Sequence, residues 1–129
     1  MKKLGLIGGI SWVSTIDYYR LINKGINEKL GDLNFAECII YSFNYQDIKN
    51  NNDNGAWDKT LQMLSDAAMG MKGAGAEAIV LCANTMHKVA DELEQKVQLP
   101  VIHIATVTAD TIVTQGLTKV GLLGTKFTM

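Results

Sequence analysis

The segment Cys82-Ala83-Asn84-Thr85 brings a thiol, an amide and a hydroxyl together at the end of an apolar run. A cysteine between a strand and a helix is favoured as a thiolate by the positive end of the helix, and a thiolate can act as a base. Asn84 and Thr85 are residue types that cap helices, and they can also hold the amino and carboxylate groups of a small ligand. The alternative is structural: Cys82 is a buried core residue, and Asn84 and Thr85 only cap the helix.

A second polar turn, Gly8-Gly9-Ile10-Ser11, follows the first apolar run. Its glycines do not form the GxGxxG pattern of dinucleotide-binding proteins, and the sequence contains no GxxxxGK(S/T) phosphate loop. We therefore expect a tight turn whose exposed N–H groups bind an anion, in particular a carboxylate. His87 and His103 are expected to be exposed or packed, and we assign them no chemical role.

Short apolar runs alternate with amphipathic stretches along the chain, and this alternation predicts strands separated by helices. It is typical of an α/β fold with a parallel sheet and helices on both faces. Ligands bind such sheets beyond the carboxyl ends of the strands, which is where both polar turns fall. Strands are predicted at residues 4–7, 36–43, 78–82, 101–104 and 119–124, helices at 14–30, 57–74, 86–97 and 105–115, and a loop at 44–55.

The composition describes an ordinary soluble globular chain. Hydrophobic residues make up 47% and charged residues 19%, and the net charge is −1. Without a run of Lys or Arg, neither nucleic acid nor an anionic membrane surface is an expected partner. No apolar run approaches the roughly 20 residues of a membrane span. Cys38 and Cys82 form no CxxC pair and no cluster has metal-ligand spacing, so we expect a reduced, cytoplasmic protein without a metal.

Taken together, three motifs resemble the aspartate/glutamate racemase family, and its broad-specificity amino-acid racemase branch in particular. They are Gly8-Gly9-Ile10-Ser11-Trp12, Asn84-Thr85-Met86-His87 and the segment 120–129. The resemblance covers the whole chain, which is similar to the N-terminal half of the family's proteins. It implies the first of two pseudo-symmetric domains, with strand order 2-1-3-4 over residues 1–104. Residues 105–129 would then begin a second, incomplete domain that contains the fifth strand.

The resemblance also implies a chemistry. The family uses neither pyridoxal phosphate nor a metal, and two residues, usually cysteines from different domains, flank the substrate Cα. One removes the proton and the other returns it to the opposite face. Cys82 is the candidate base here, although the family's usual cysteine position, directly before Asn-Thr, is occupied by Ala83. The expected substrate-binding residues for an amino acid are Gly9, Ser11, Asn52, Asn84, Thr85 and Thr125.

Two other functions stay open. Ala83 is compatible with a domain that binds an amino acid or another carboxylate but has lost the base. A flavodoxin-like nucleotide-binding module is less well supported, because the phosphate loop is missing. Since Ile112, Leu122 and Leu123 need apolar cover, we expect either self-association, with the chain as a homo-oligomer, or a poorly ordered segment beyond Ile104.

Overall fold

The first apolar run forms the strand from which the sheet is built. In the computed structural model, which describes residues 1–124, β1 (Leu4–Gly8) lies between β2 (Cys38–Ser42) and β3 (Ala78–Leu81). Both pairings are parallel, and β4 (Val101–Ile102) continues the sheet beside β3. The order β2-β1-β3-β4 confirms the predicted parallel α/β arrangement. Every residue of β3 is buried, which explains why this strand is a continuous apolar run.

Helices connect the strands and cover the sheet. A glycine ends the first helix as predicted: Gly31 has φ 74°, and its N–H donates to the carbonyl of Asn27. The predicted helix at 86–97 instead begins as a 3-10 helix and becomes α-helical only in its second half. The helical elements are α1 (Trp12–Leu30), α2 (Tyr45–Asp53), α3 (Trp57–Gly73), the 3-10 helix (Asn84–Val89), α4 (Ala90–Val97) and α5 (Ile104–Thr114).

Alternating side chains of the central strands enter two separate apolar clusters. The larger cluster lies on the side of α3 and α4 and contains Ile7 and Leu81. The smaller one contains Leu6, Val80 and Cys82, with Tyr18 and Ile22 of α1 packed against it. This is the period-two alternation of a strand, and it assigns Cys82 to the α1 face of the sheet.

The segment predicted as a loop at 44–55 is largely the helix α2. Its sequence is polar and rich in Asn, which disfavours a helix in isolation. One apolar residue anchors it, since Ile48 is completely buried. Asn52 accepts a hydrogen bond of 2.8 Å from Thr60 of α3, and Lys49 pairs with Asp53 within the helix. Tertiary packing therefore overrides local propensity in this segment.

The fifth strand predicted at 119–124 does not form within the described residues. Residues 117–124 have no regular secondary structure, and Leu122 and Leu123 are exposed. An apolar run becomes a strand only when a neighbouring strand accepts its backbone hydrogen bonds, and the described part of the chain offers none here. Segment 119–124 is therefore a correction to the expectation from the sequence.

Helix α1 begins at Trp12, two residues before the predicted start, and leaves much of its apolar surface uncovered. Ile16 and Tyr19 belong to the apolar stripe of this helix, and they are 53% and 47% exposed. Trp12 and Val13 are exposed as well. The helix contacts the sheet through Thr15, Tyr18 and Ile22 instead, so the apolar pattern of α1 marks two surfaces, of which only one faces the sheet.

Candidate functional site

Three chain segments meet at the carboxyl edge of the sheet. The first turn of α1 is tied to the end of β3, because the Ser14 hydroxyl donates to the carbonyl of Cys82 over 2.7 Å. The Cys82 N–H donates in turn to the carbonyl of Ile7. The segment after β2 joins through Phe43, whose N–H donates to the carbonyl of Gly8 over 3.0 Å. These bonds between strand ends give the edge a defined backbone shape.

The Gly8-Gly9 turn requires glycine for two different reasons. Gly9 has φ +86°, and a side chain there would also collide with the backbone of Phe43. At Gly8 the same addition would collide with the side chain of Thr15. The predicted tight turn is present, but the Gly9 N–H is already used, since it donates to Thr15 Oγ1 over 2.9 Å. In this arrangement Gly9 shapes the edge, and its N–H does not face a ligand.

The Cys82 side chain is enclosed in the smaller apolar cluster. It is 0% exposed, and its Sγ lies 3.9 Å from the carbonyl oxygen of Val80. Burial raises the pKa of the Cys82 thiol to about 12, and Cys38 adds to the rise. The expected activation by a helix N-terminus is not visible, because the thiol lies on the α1 face and the next element is a 3-10 helix of six residues. The thiol is therefore protonated at neutral pH in this structure.

Ala83 and Asn84 follow Cys82 along the chain, and neither belongs to the smaller cluster that encloses the thiol. Ala83 packs against the larger cluster, on the face opposite to Cys82. Asn84 begins the 3-10 helix and is exposed, whereas Thr85 is half-buried. The residue at the cap position is Ala83, and no side chain makes a capping hydrogen bond there. The capping interpretation of Asn84 and Thr85 is therefore wrong, and the Asn84 amide is exposed to the surroundings.

An open pocket of about 480 Å³ lies beside this 3-10 helix. Asn84, His87 and Lys88 form one wall, and Lys88 also places its Nζ 4.1 Å from the centre of the Trp57 ring. The opposite wall consists of His103 and mostly apolar or small residues at the start of α5 and after it. These are Ile104, Ala105, Thr108, Ala109, Ile112 and Leu122.

The other predicted residues lie apart from this pocket. Ser11 is exposed before α1, and its carbonyl accepts hydrogen bonds from Ser14 and Thr15. Asn52 is held by Thr60 on α2, as described above. Thr125 lies outside the described residues. Within residues 1–124, Asn84 is thus the member of the predicted set that lines the pocket.

The two histidines form a pair that the sequence interpretation missed. Their ring centres are 4.5 Å apart with an interplanar angle of 60°. The Nδ1 of His103 accepts a hydrogen bond of 3.3 Å from the N–H of Ala105, so His103 caps α5. Burial lowers the pKa of His87, and His103 lowers it further. The sequence did contain one indication of this pair, since both histidines follow the carboxyl ends of strands that are neighbours in the parallel sheet.

Within residues 1–124, nowhere do three or more His, Cys, Asp or Glu side chains come close enough to hold a metal ion. Among the helices of that range, none has the length and apolarity needed to cross a membrane.

The chain resembles known proteins in both sequence and fold. A sequence model of the family described as Asp/Glu/Hydantoin racemase matches residues 7–129. The solved structure of a protein from Yersinia pestis, described as a putative Asp/Glu racemase, is 52% identical with a TM-score of 0.93. The match covers 98% of this chain and 55% of that one.

A second solved structure shows the same fold at lower sequence similarity. An aspartate racemase homologue from Pyrococcus horikoshii OT3 is 35% identical, with a TM-score of 0.83, over 90% of this chain and 50% of that chain. The chain thus spans about half the length of the solved structures it matches.

Proposed function

Because the chain belongs to the Asp/Glu/hydantoin racemase family, we propose that it forms one side of a cofactor-independent amino-acid racemase site. The observation that carries the proposal is the exposed Asn84 amide. It lies at the carboxyl edge of a racemase-type sheet and lines a pocket with His87, His103 and Lys88. Such a pocket offers polar groups on one wall and apolar ones on the other, as a small zwitterion with a side chain requires.

The proposed reaction inverts the substrate Cα by proton transfer. A base on one face takes the Cα proton, the electron pair stays on carbon, and an acid on the other face supplies a new proton. Asn84 would hold the amino or carboxylate group from the pocket itself, while Thr85 and Ser11, which lie outside the pocket at the same edge of the sheet, would contact the substrate from that edge, with Gly9 shaping the turn. Asn52 and Thr125 complete the proposed binding set. Lys88 adds a cation at the pocket wall, which suits a substrate with an acidic side chain.

One observation favours a second candidate function, in which this chain binds the amino acid but supplies no base. Cys82 was the expected base, yet its thiol is buried on the α1 face and has a pKa raised to about 12. Ala83, which packs on the opposite face, has no ionisable group. In this candidate Cys82 is part of the apolar cluster under α1.

Thiol labelling separates the two roles of Cys82. At pH 8 a thiol with a pKa of about 12 is ionised in only about one molecule in ten thousand. We expect iodoacetamide to modify Cys38 slowly and to leave Cys82 unmodified until the chain is denatured, as measured by peptide mass spectrometry. The denatured chain is the control, in which both thiols react. Rapid modification of Cys82 in the native chain at pH 7 would instead support its role as the base.

Ligand binding tests the proposed function directly. We expect aspartate or glutamate to shift the backbone amide resonances of Asn84 and Thr85, and Asn84→Ala to weaken this binding about tenfold or more, the loss of one hydrogen bond to a charged group. Asn54→Ala is the matched control, because Asn54 does not line the pocket. Its side-chain amide donates to the carbonyl of Asn50 at the end of α2. Shifts produced by AMP but not by amino acids would contradict the proposal and favour a nucleotide-binding module.

We further propose the domain boundary, assembly and location expected from the sequence. Residues 1–104 would form one domain and 105–129 the beginning of the next; α5 supports this division, because none of its residues is buried. The exposed Trp12 and Ile16 of α1 support a homo-oligomer, since apolar patches commonly mark interaction sites. A cytoplasmic location agrees with the two free cysteines.

A further inference from the structure

Both ring nitrogens of His87 are committed to backbone groups. Nδ1 lies 3.2 Å from the carbonyl oxygens of Ala83 and Asn84. Nε2 lies 3.2 Å from the backbone nitrogen of Ile104. The N–H of Ile104 can only donate, so Nε2 accepts and carries no proton. Nδ1 must then carry the proton that it donates to the two carbonyls, which defines a neutral imidazole of a single tautomer.

The backbone groups that His87 contacts belong to two separate segments. Ala83 and Asn84 begin the turn after β3, and Ile104 is the first residue of α5. The first N–H groups of a helix have no partner within the helix, so the imidazole satisfies a donor that would otherwise be unpaired. These same two segments form the opposing walls of the pocket. The ring of His87 therefore links the two walls.

We propose that His87 is a positioning residue that fixes the Asn84 turn relative to the start of α5 and so sets the width of the pocket. It does not exchange protons with the substrate, because both of its nitrogens are occupied. Its effect on an amino-acid ligand rests on the proposed function, but the link between the two walls does not. Asn84 is presented to a ligand in the correct orientation because the hydrogen bonds of His87 to the carbonyls of Ala83 and Asn84 hold the turn that carries it.

The electrostatic surroundings agree with this role. His87 faces His103 just before α5, so a positive charge on His87 would meet a second imidazole, while backbone groups of Asn84, Ala83 and Ile102 act in the opposite direction and raise the pKa of His87. Burial is the main cause that lowers the pKa of His87 below 6.5, followed by His103. A lowered pKa in the folded state means that the contribution to stability is complete above pH 6.5. It is lost as the pH falls through the lowered value.

Two substitutions of His87 test its two contacts separately. In His87→Gln the side-chain oxygen can occupy the place of Nε2 and accept from Ile104, but nothing donates to the turn. In His87→Asn the amide can donate to the carbonyls of Ala83 and Asn84, but nothing accepts from Ile104. His103→Asn is the matched control, because Asn is a good capping residue and can replace the contact with Ala105.

Nuclear magnetic resonance on the 129-residue chain supplies the readouts. We expect hydrogen exchange of the Ile104 amide to accelerate about tenfold in His87→Asn and to stay near the native rate in His87→Gln and His103→Asn. We expect both His87 variants to weaken aspartate binding several-fold, as measured by titration. The 15N shifts of the native chain should show the Nδ1–H tautomer of His87 at pH 7.

The possible results distinguish a failure of the His87 link from a failure of the proposed function. An Nε2–H tautomer in the native chain, or an ordinary titration of His87 near pH 6.5, would overturn the proposal even if a variant failed to fold. Unchanged Ile104 exchange in a folded His87→Asn would do the same. If the native chain bound no amino acid while the tautomer and the exchange rates were as expected, the proposed function would fail and the link between the walls would stand.

Discussion

The 129-residue chain by itself is expected to leave a pure D- or L-amino acid optically unchanged. Inversion at Cα needs a proton acceptor on one face and a proton donor on the other, and in the proposed function this chain forms only one side of the site, with Cys82 as its candidate base. The barrier is large because Cα–H is very weakly acidic, so the absence of one group lowers the rate by several orders of magnitude. Polarimetry or chiral chromatography of aspartate and glutamate after prolonged incubation measures this.

Deuterium uptake distinguishes the two candidate functions. If Cys82 acts as a base, the substrate will exchange its Cα proton in heavy water with retention of configuration, and Cys82→Ala will abolish the exchange. If this chain only binds the amino acid, neither the native chain nor the variant will exchange above the buffer rate. Cys38→Ala is the matched control, since it removes the other thiol. Racemisation by the native chain as a monomer would refute the requirement for groups on both faces.

A methyl group at Gly9 is expected to have the largest effect on stability. Gly9 has φ +86°, which an L-residue rarely adopts, and the added Cβ would lie 2.6 Å from the backbone nitrogen of Phe43. Neither backbone can move freely, because β1 and the segment after β2 are joined by the bond from Phe43 to Gly8. We expect Gly9→Ala to lower the free energy of unfolding by about 3 kcal/mol or more, combining strain and overpacking. Urea denaturation measures it.

Substitutions at two other glycines distinguish backbone strain from overpacking as the cause of the destabilisation at Gly9. Gly55 also has a positive φ, 69°, but nothing lies within 4 Å of an added Cβ, so Gly55→Ala should cost about 1–2 kcal/mol from strain alone. Gly25 is inside α1 with equally open surroundings. Gly25→Ala should therefore stabilise the chain by about 0.5–1 kcal/mol, through helix propensity. A Gly9→Ala variant no less stable than Gly55→Ala would show that the close approach to Phe43 is absent.

The sequence by itself determined the elements that depend on local patterning. Short apolar runs predicted the first four strands, and in β3, which is buried along its whole length, the run is apolar because both faces of the strand are covered. The Gly8-Gly9 pair predicted the turn after β1, since few other residues fit there. Family resemblance supplied the strand order, which the sheet confirms.

Tertiary structure decided which of these residues meet. Helix α2 exists because Ile48 is buried by neighbours distant in sequence, and segment 119–124 is not a strand because the described chain has no partner for it. The Cys82 side chain points to the α1 face because side chains alternate along the strand, and a shift of one residue would turn it to the opposite face. His87 and Ile104 are 17 residues apart, and their hydrogen bond follows from the adjacency of β3 and β4. Local composition carries the information for burial and turns, whereas contacts between strand ends arise only once the sheet aligns them.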